Sequence, residues 1–377
     1  MRKLVQLFVL IPLLAAGLLS CNKEEEVVKD RGTGNVKMSF GFSENPEGRA
    51  VPASGKKPTT SWRDNVKDLI ILFAKDGVVV DARSVTPPTA ADLSEQSVSL
   101  KNIPANTDCD VYVVANSGQT GISRPGWTPE NAKGRRTQDL LMALTTATMP
   151  AGVTGTGYNS PAEIFMANQR VTIQADKDNN ITTPFALTRV VSLIRVRLVP
   201  KGDNLSKIDF TGAGKAFVFL RRVSPSMNVL KTFTTVTPTD GVFVNQPFLG
   251  TEPNTGYAGT GNILDAANGV TCYRDFLCFP GGSATAGAQK FDIMIKGTTK
   301  TADYIPAGAT TPLAINTPVY WSGAISQAVA SNGILEVVVT VQSVGDKDEP
   351  EVGSYGNLTI KVNLVPWGNI TQTELPV

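Results

Sequence analysis

Between Asn35 and Ser43 every second residue is apolar: Val36, Met38, Phe40 and Phe42 are separated by Lys37, Ser39 and Gly41. A side-chain period of two belongs to a strand with one buried face, so this stretch has to lie in a sheet with those four side chains in a core. The residues behind it end sheet structure at once. Glu44-Asn45-Pro46-Glu47-Gly48 has turn composition and presents Arg49 ahead of Ala50, and residues 51–58, rich in Pro, Gly and Lys, carry no apolar period. A strand with a cutting point behind it is expected.

The other end of the chain has a counterpart. Residues 357–364 place Leu358, Ile360, Val362 and Leu364 on one face, and Val365-Pro366-Trp367-Gly368-Asn369-Ile370 follows. Between the two, 34 Gly and 24 Pro against 15 Phe, 7 Tyr and 4 Trp describe many short strands joined by turns. The chain reads as all-β, and its 377 residues suit two domains. Asp76-Gly77, between the β-rich runs 66–73 and 78–82, is a strong hairpin signal. Strands are expected from Val98, over 109–116, 163–166 and 171–173, and in the second half over 216–221, 241–244, 272–279, 291–295, 319–321 and 334–343. Leu140, Leu141 and Leu144 suggest a short helix over 137–146. Residues 185–199 read as one long β-branched strand, and its start is taken as the boundary between a first domain, 50–185, and a second, 186–377.

Several functions are disfavoured by what the chain lacks. It has no histidine, which excludes Ser-His-Asp and Cys-His catalysis and His-liganded zinc. A net charge of +2 without a basic block argues against nucleic acid as a partner. Asp176-Lys177-Asp178-Asn179-Asn180 imitates the opening of a calcium loop, but Ile181 stands where the loop needs Gly and Leu187 where it needs Glu, so a hairpin turn is expected. The glycines of 281–287 lack the Gly-Lys-Ser/Thr ending of a phosphate loop. Cys272 and Cys278 lie roughly 20 Å apart on an extended chain, too far for a disulfide, and no CxxC pair supports a metal cluster. No catalytic centre, metal or cofactor is expected.

The leader says where the chain goes. Met1-Arg2-Lys3 is a positive start and residues 4–19 an apolar core of secretory length. Leu18-Leu19-Ser20-Cys21 resembles the bacterial lipobox, which makes 1–20 a lipoprotein signal peptide and Cys21 the lipidated (palmitate-bearing) residue. The following Asn22-Lys23-Glu24-Glu25-Glu26 is similar to the acidic tag of surface-exported lipoproteins of Gram-negative anaerobes.

Taken in order, the leader, the early strand with Arg49, the segment 103–116, Leu187-Thr188-Arg189 and the last strand with Trp367 resemble the fimbrillin family, pilus subunits of those anaerobes. The resemblance implies two transthyretin-like Greek-key β-sandwich domains in tandem and a propeptide, 21–49, whose strand completes the first domain. It further implies that a trypsin-like, Arg-specific protease cuts after Arg49, leaving Ala50 as the mature N-terminus. The strand of Val36, Met38, Phe40 and Phe42 then leaves, and the donor strand of Leu358, Ile360, Val362 and Leu364 from another copy replaces it. The precursor would be held in the outer membrane by its lipid, and the fibre would contain accessory tip and anchor subunits.

Burial of four such side chains is worth about 1.5–3 kcal/mol each, so removing the strand leaves an unstable groove whose remedy is strand addition from another chain. Donation from head to tail does not close on itself and gives a fibre. Two alternatives stand beside this reading. Both segments are ordinary edge strands of a monomeric surface lipoprotein, or the chain binds glycans on exposed Trp62, Trp127 or Trp321. Lys133-Gly134-Arg135-Arg136 is a rival site for a trypsin-like cut.

Overall fold

The computed structural model describes residues 32–42, 66–234 apart from 93, 151, 211 and 213, 242–244, 272–282, 290–353 and 358–366. Cys21, Arg49, Ala50, Trp62 and Trp367 lie outside the described residues.

Alternation decides the first element. β1 (Thr33–Phe42) buries Val36, Met38 and Phe40 and turns Asn35 and Lys37 to solvent. β2 (Leu69–Lys75) and β3 (Val78–Val85) form the expected hairpin, and both turn residues, Asp76 and Gly77, have positive φ, 50° and 76°. A two-residue type I′ turn requires that conformation. β4 (Gln96–Pro104) and β5 (Asn106–Ala115) follow.

Next come the short strands β6 (Ile122–Ser123), β7 (Leu141–Leu144), β8 (Thr146–Ala147) and β9 (Gly157–Tyr158). The helix expected over 137–146 is instead a single 3-10 turn, Thr137–Asp139, followed by β7. Leucine spacing there suits a helix, but β7 has strand partners on both sides, Ile122–Ser123 and residues 226–228, and these claim its backbone groups.

β10 (Phe165–Ile173), β11 (Asp178–Asn180) and β12 (Phe185–Arg189) complete the first sheet. The turn over 174–177, with Asp176 at φ 53°, does not close a hairpin: β11 leaves β10 and pairs in parallel with β1. The sheet runs β11-β1-β12-β10-β5-β2-β3, with β4 on β1. β12 is its corner, since Phe185, Ala186 and Leu187 pair with β1 whereas Thr188 and Arg189 pair with β10. The sheet folds over on itself there. Val36, Met38 and Phe40 thus share a core with Leu69, Ile71 and Phe73 of β2 and Cys109, Val111 and Val113 of β5.

The strand expected over 185–199 is two. Val190 and Val191 separate β12 from β13 (Ser192–Pro200), which opens a second sheet. Arg189 marks the step: its guanidinium binds Glu163 at 2.9 Å, donates to Asn332 Oδ1 at 3.0 Å and lies over the Phe165 ring. A short helix, α1 (Asp203–Lys207), precedes β14 (Ile208–Asp209), β15 (Phe217–Arg221), β16 (Ser226–Asn228), β17 (Val242–Val244), β18 (Cys272–Cys278), β19 (Phe291–Thr299), β20 (Pro318–Ile325), β21 (Gly333–Val341) and β22 (Thr359–Pro366).

β18-β13-β21-β22 is one sheet, and β14-β19-β15-β17-β9-β8, with β20 on β19, is another. Between them Ile194, Val196, Leu335 and Val337 meet Val218, Leu220, Ile293 and Trp321 in a sandwich core. That core continues to the outer face of the first sheet, where Ile70, Leu72 and Val114 pack with Trp127, Leu140 and Met142. β2 is therefore buried on both faces, its even and odd residues serving different cores. The architecture is all-β.

Candidate functional site

The position of β1 is what singles it out. It is an interior strand, antiparallel to β4 on one side and parallel to β11 and β12 on the other. Among the described strands β4 and β11 have no other strand partner than β1. Taking β1 away would remove three fully buried side chains and open its ladders with β4, β11 and β12 together. Its fourth apolar residue, Phe42, is half-buried and meets Phe165 edge to face with centroids 5.1 Å apart.

The entry to this slot is defined more narrowly than alternation requires. A Cβ on Gly34 would collide with the Gln174 carbonyl oxygen and lie 2.6 Å from Asn179 Nδ2, so the residue there has to be glycine. Asn35 donates through Nδ2 to Asp178 Oδ1 at 2.8 Å and through its backbone N–H to the Lys177 carbonyl at 2.9 Å, and Asn179 Nδ2 donates to the Asn35 carbonyl at 3.0 Å. A cleft of about 410 Å³ lies over this end, between Lys37, Ser99, Lys101, Asp178 and Asn180. At the other end Gly41 is unencumbered: a Cβ there meets nothing within 4 Å.

Among the described strands β22 lies at a sheet edge, paired antiparallel with β21 alone. Leu358 and Ile360 are half-buried and pack where Gly323 has no side chain, with Ile360 Cδ1 2.8 Å and Leu358 Cβ 3.1 Å from the place a Cβ would take. Val362 is 37% exposed. The side chain of Leu364 lies outside the described residues, although its backbone pairs with Leu335. The chain leading into β22 is tied down at Gly353, whose N–H donates to Asp292 Oδ2 at 3.0 Å. Burial pushes the Asp292 carboxyl above the usual carboxylate range, with Arg221 beside it pulling the other way.

Two other sequence candidates change character. Trp127 and Trp321 are 2% and 0% exposed, with their indole N–H groups donating to the Leu141 and Ser343 carbonyls, so neither can be a stacking platform for a sugar. Arg135 and Arg136 are exposed, but the backbone around them is bonded to β3, through Val79 N–H to the Arg135 carbonyl and Gly134 N–H to the Val79 carbonyl, both 2.8 Å. Cys109 and Cys278 are free, buried thiols, and burial pushes Cys109 up to about 12. Among the described residues no group of three or more His, Cys, Asp or Glu is placed to hold a metal ion.

No protein-family model and no curated protein matches the chain. Solved structures do. A candidate cell adhesion protein from Bacteroides eggerthii superposes with a TM-score of 0.52 at 12% identity, over 89% of this chain and 96% of its own. The likeness is one of fold. A second candidate cell adhesion protein, from Parabacteroides distasonis, gives 0.51 at 10% identity over 90% and 98%. A fimbrilin from Porphyromonas gingivalis reaches 0.47 at 16% identity over 89% and 98%. The first two carry this all-β architecture over nearly their whole length.

Proposed function

We propose that the chain is a fimbrial stalk subunit that serves adhesion at the cell surface. In this reading it is exported as a lipoprotein through Cys21, cut after Arg49 by a trypsin-like protease so that it begins at Ala50, and polymerised by exchange of β1 for β22 of another copy, with tip and anchor subunits completing the fibre. The observation that carries it is the contrast between the two strands. β1 lies in the interior of its sheet as the partner of both β4 and β11, while β22, with the same alternation, lies at a sheet edge where β21 is its one strand partner among the described residues. An edge strand leaves at the cost of one ladder, and a sheet with a missing interior strand presents unpaired backbone over an apolar floor. The adhesion proteins that share the fold support the same surface role.

The test is the state of the protein at the surface. Protein sheared from cells is expected to start at Ala50 and to run as a ladder of detergent-resistant oligomers. Deleting the chain from Leu358 onward should leave cleaved subunits that do not assemble. A mature species that still begins at Cys21 and stays monomeric after trypsin-like digestion would end the proposal.

A further inference from the structure

Residues 34–42 read Gly-Asn-Val-Lys-Met-Ser-Phe-Gly-Phe and residues 356–364 read Gly-Asn-Leu-Thr-Ile-Lys-Val-Asn-Leu. Both are Gly-Asn followed by four apolar residues at alternate positions. The slot occupied by β1 explains each shared feature. The Gly34 position has no room for a Cβ, the Asn35 position offers a carboxylate, Asp178, to an amide, and the Val36, Met38 and Phe40 positions are 1% exposed. The one place where the second stretch is bulkier than glycine, Asn363 against Gly41, is the open one.

Resting on the strand-exchange reading above, we infer that Gly356 and Asn357 are the register-setting residues of the donor, and that the donor strand enters in the direction of β1, antiparallel to β4 and parallel to β11 and β12. Gly356 takes the place of Gly34, Asn357 donates to Asp178, and Leu358, Ile360, Val362 and Leu364 replace Val36, Met38, Phe40 and Phe42. A shift of two residues either way keeps the apolar face inward, which is why alternation alone leaves register open. It brings Ser354 or Leu358 to the position that admits no Cβ. Reversing the strand with Gly356 at that position brings Pro350 to the place of Phe40, and proline cannot donate to the ladder. The chain contains two further Gly-Asn pairs, but after Gly261-Asn262 it is Asp265 that would fall at the buried place of Met38, and after Gly368-Asn369 Gln372 and Glu374 would fall at those of Met38 and Phe40.

The register is read by cross-linking assembled fibres. Lys37 lies opposite Ser99 in β4, so Thr359 of the donor should as well. Directly opposed positions hold their Cβ atoms about 4.5–5.5 Å apart, near disulfide range, and a slip of two residues takes them to about 7–8 Å, beyond it. With Cys272→Ser as background, Ser99→Cys combined with Thr359→Cys is expected to give a ladder that survives boiling detergent and collapses on reduction. Ser97→Cys or Lys101→Cys combined with Thr359→Cys should not.

Gly356→Val should reduce fibre yield at least tenfold while the precursor melts and is cleaved as before, and Asn363→Ala should assemble normally. Asn357→Asp should slow assembly several-fold, and Asp178→Asn should restore it. Fibres cross-linked through Ser97 or Lys101, or normal assembly of Gly356→Val, would overturn the register. Failure of the unsubstituted chain to assemble would overturn strand exchange itself, and this inference with it.

Discussion

Arg221 and Asp292 form an ion pair with Nη2 and Oδ2 2.9 Å apart, neither residue more than 1% exposed, and both also hold the segment that leads into β22. Arg221 Nη1 donates to the Pro350 carbonyl at 3.0 Å, and Gly353 N–H donates to Asp292 at 3.0 Å. The chain ahead of β22 is thus held to β15 and β19 at Pro350 and Gly353. Breaking a buried pair by removing one partner costs about 3–5 kcal/mol, because the other charge is left without compensation. Asp292→Ala should lower the melting temperature accordingly and speed amide exchange over residues 350–353. Asp292→Asn, which keeps an acceptor for Gly353, should do less. An Asp292→Ala protein with unchanged melting and exchange would show that the pair does not anchor this segment.

Phe40 is 1% exposed in the core beneath β1. Phe40→Ala should cost the uncleaved precursor about 3–5 kcal/mol, seen as a lower denaturation midpoint. If β1 is absent from the assembled fibre, the fibre formed from that variant should dissociate at the same temperature as the parent. An equal loss of stability in precursor and fibre would mean that β1 stays in place.

Cys109 reports on the same core from the opposite sheet layer, where it is 0% exposed among Val36, Met38 and Phe40. The thiolate is the reactive form, so a thiol pushed up to about 12 by burial resists alkylation at pH 8. With Cys272→Ser as background, Cys109 should be silent in the precursor, react once β1 has been released, and fall silent again in the fibre. Cys278, buried in the other core, should not react in any of these states. Mass spectrometry of alkylated peptides decides this, and a Cys109 that never reacts after cleavage would mean that no groove opens.

Exposure of Arg135 and Arg136 should not make them protease-sensitive. A protease needs several residues in an extended, unpaired conformation, while here Gly134, Arg135 and Thr137 are bonded to the β2–β3 hairpin through Val79 and Gly77. Limited trypsin digestion should cut ahead of Val66 first and leave the bond after Arg136 intact until the protein unfolds. Early cleavage at Arg136 would contradict this.

Local pattern accounts for what the sequence made legible. The buried set Val36, Met38 and Phe40 follows from alternation, and the β2–β3 turn follows from Asp76-Gly77, because both are decided within a few residues. The misread elements are those decided by distant partners. Leu141 to Leu144 became a strand because residues 122–123 and 226–228 pair with it, and the stretch 185–199 was divided at Val190 and Val191, which have strand propensity of their own. Trp127 and Trp321 gave no local sign of burial. The requirement for glycine at position 34 arises from Gln174 and Asn179, and the Arg221–Asp292 anchor joins residues on different strands, so neither carries a signal in its own neighbourhood.

The division at Val190 and Val191 bears on mechanics. The strand that flanks β1, β12, runs with only these two residues between it and β13, an inner strand of the next sheet. Tension applied along a subunit passes from one sheet to the other through covalent backbone, reinforced by the Arg189 contacts to Glu163 and Asn332. The two sheets are coupled in series like links forged from one wire, so in a fibre under load the ladders that hold a strand in the β1 slot are expected to part before the step at Val190 and Val191.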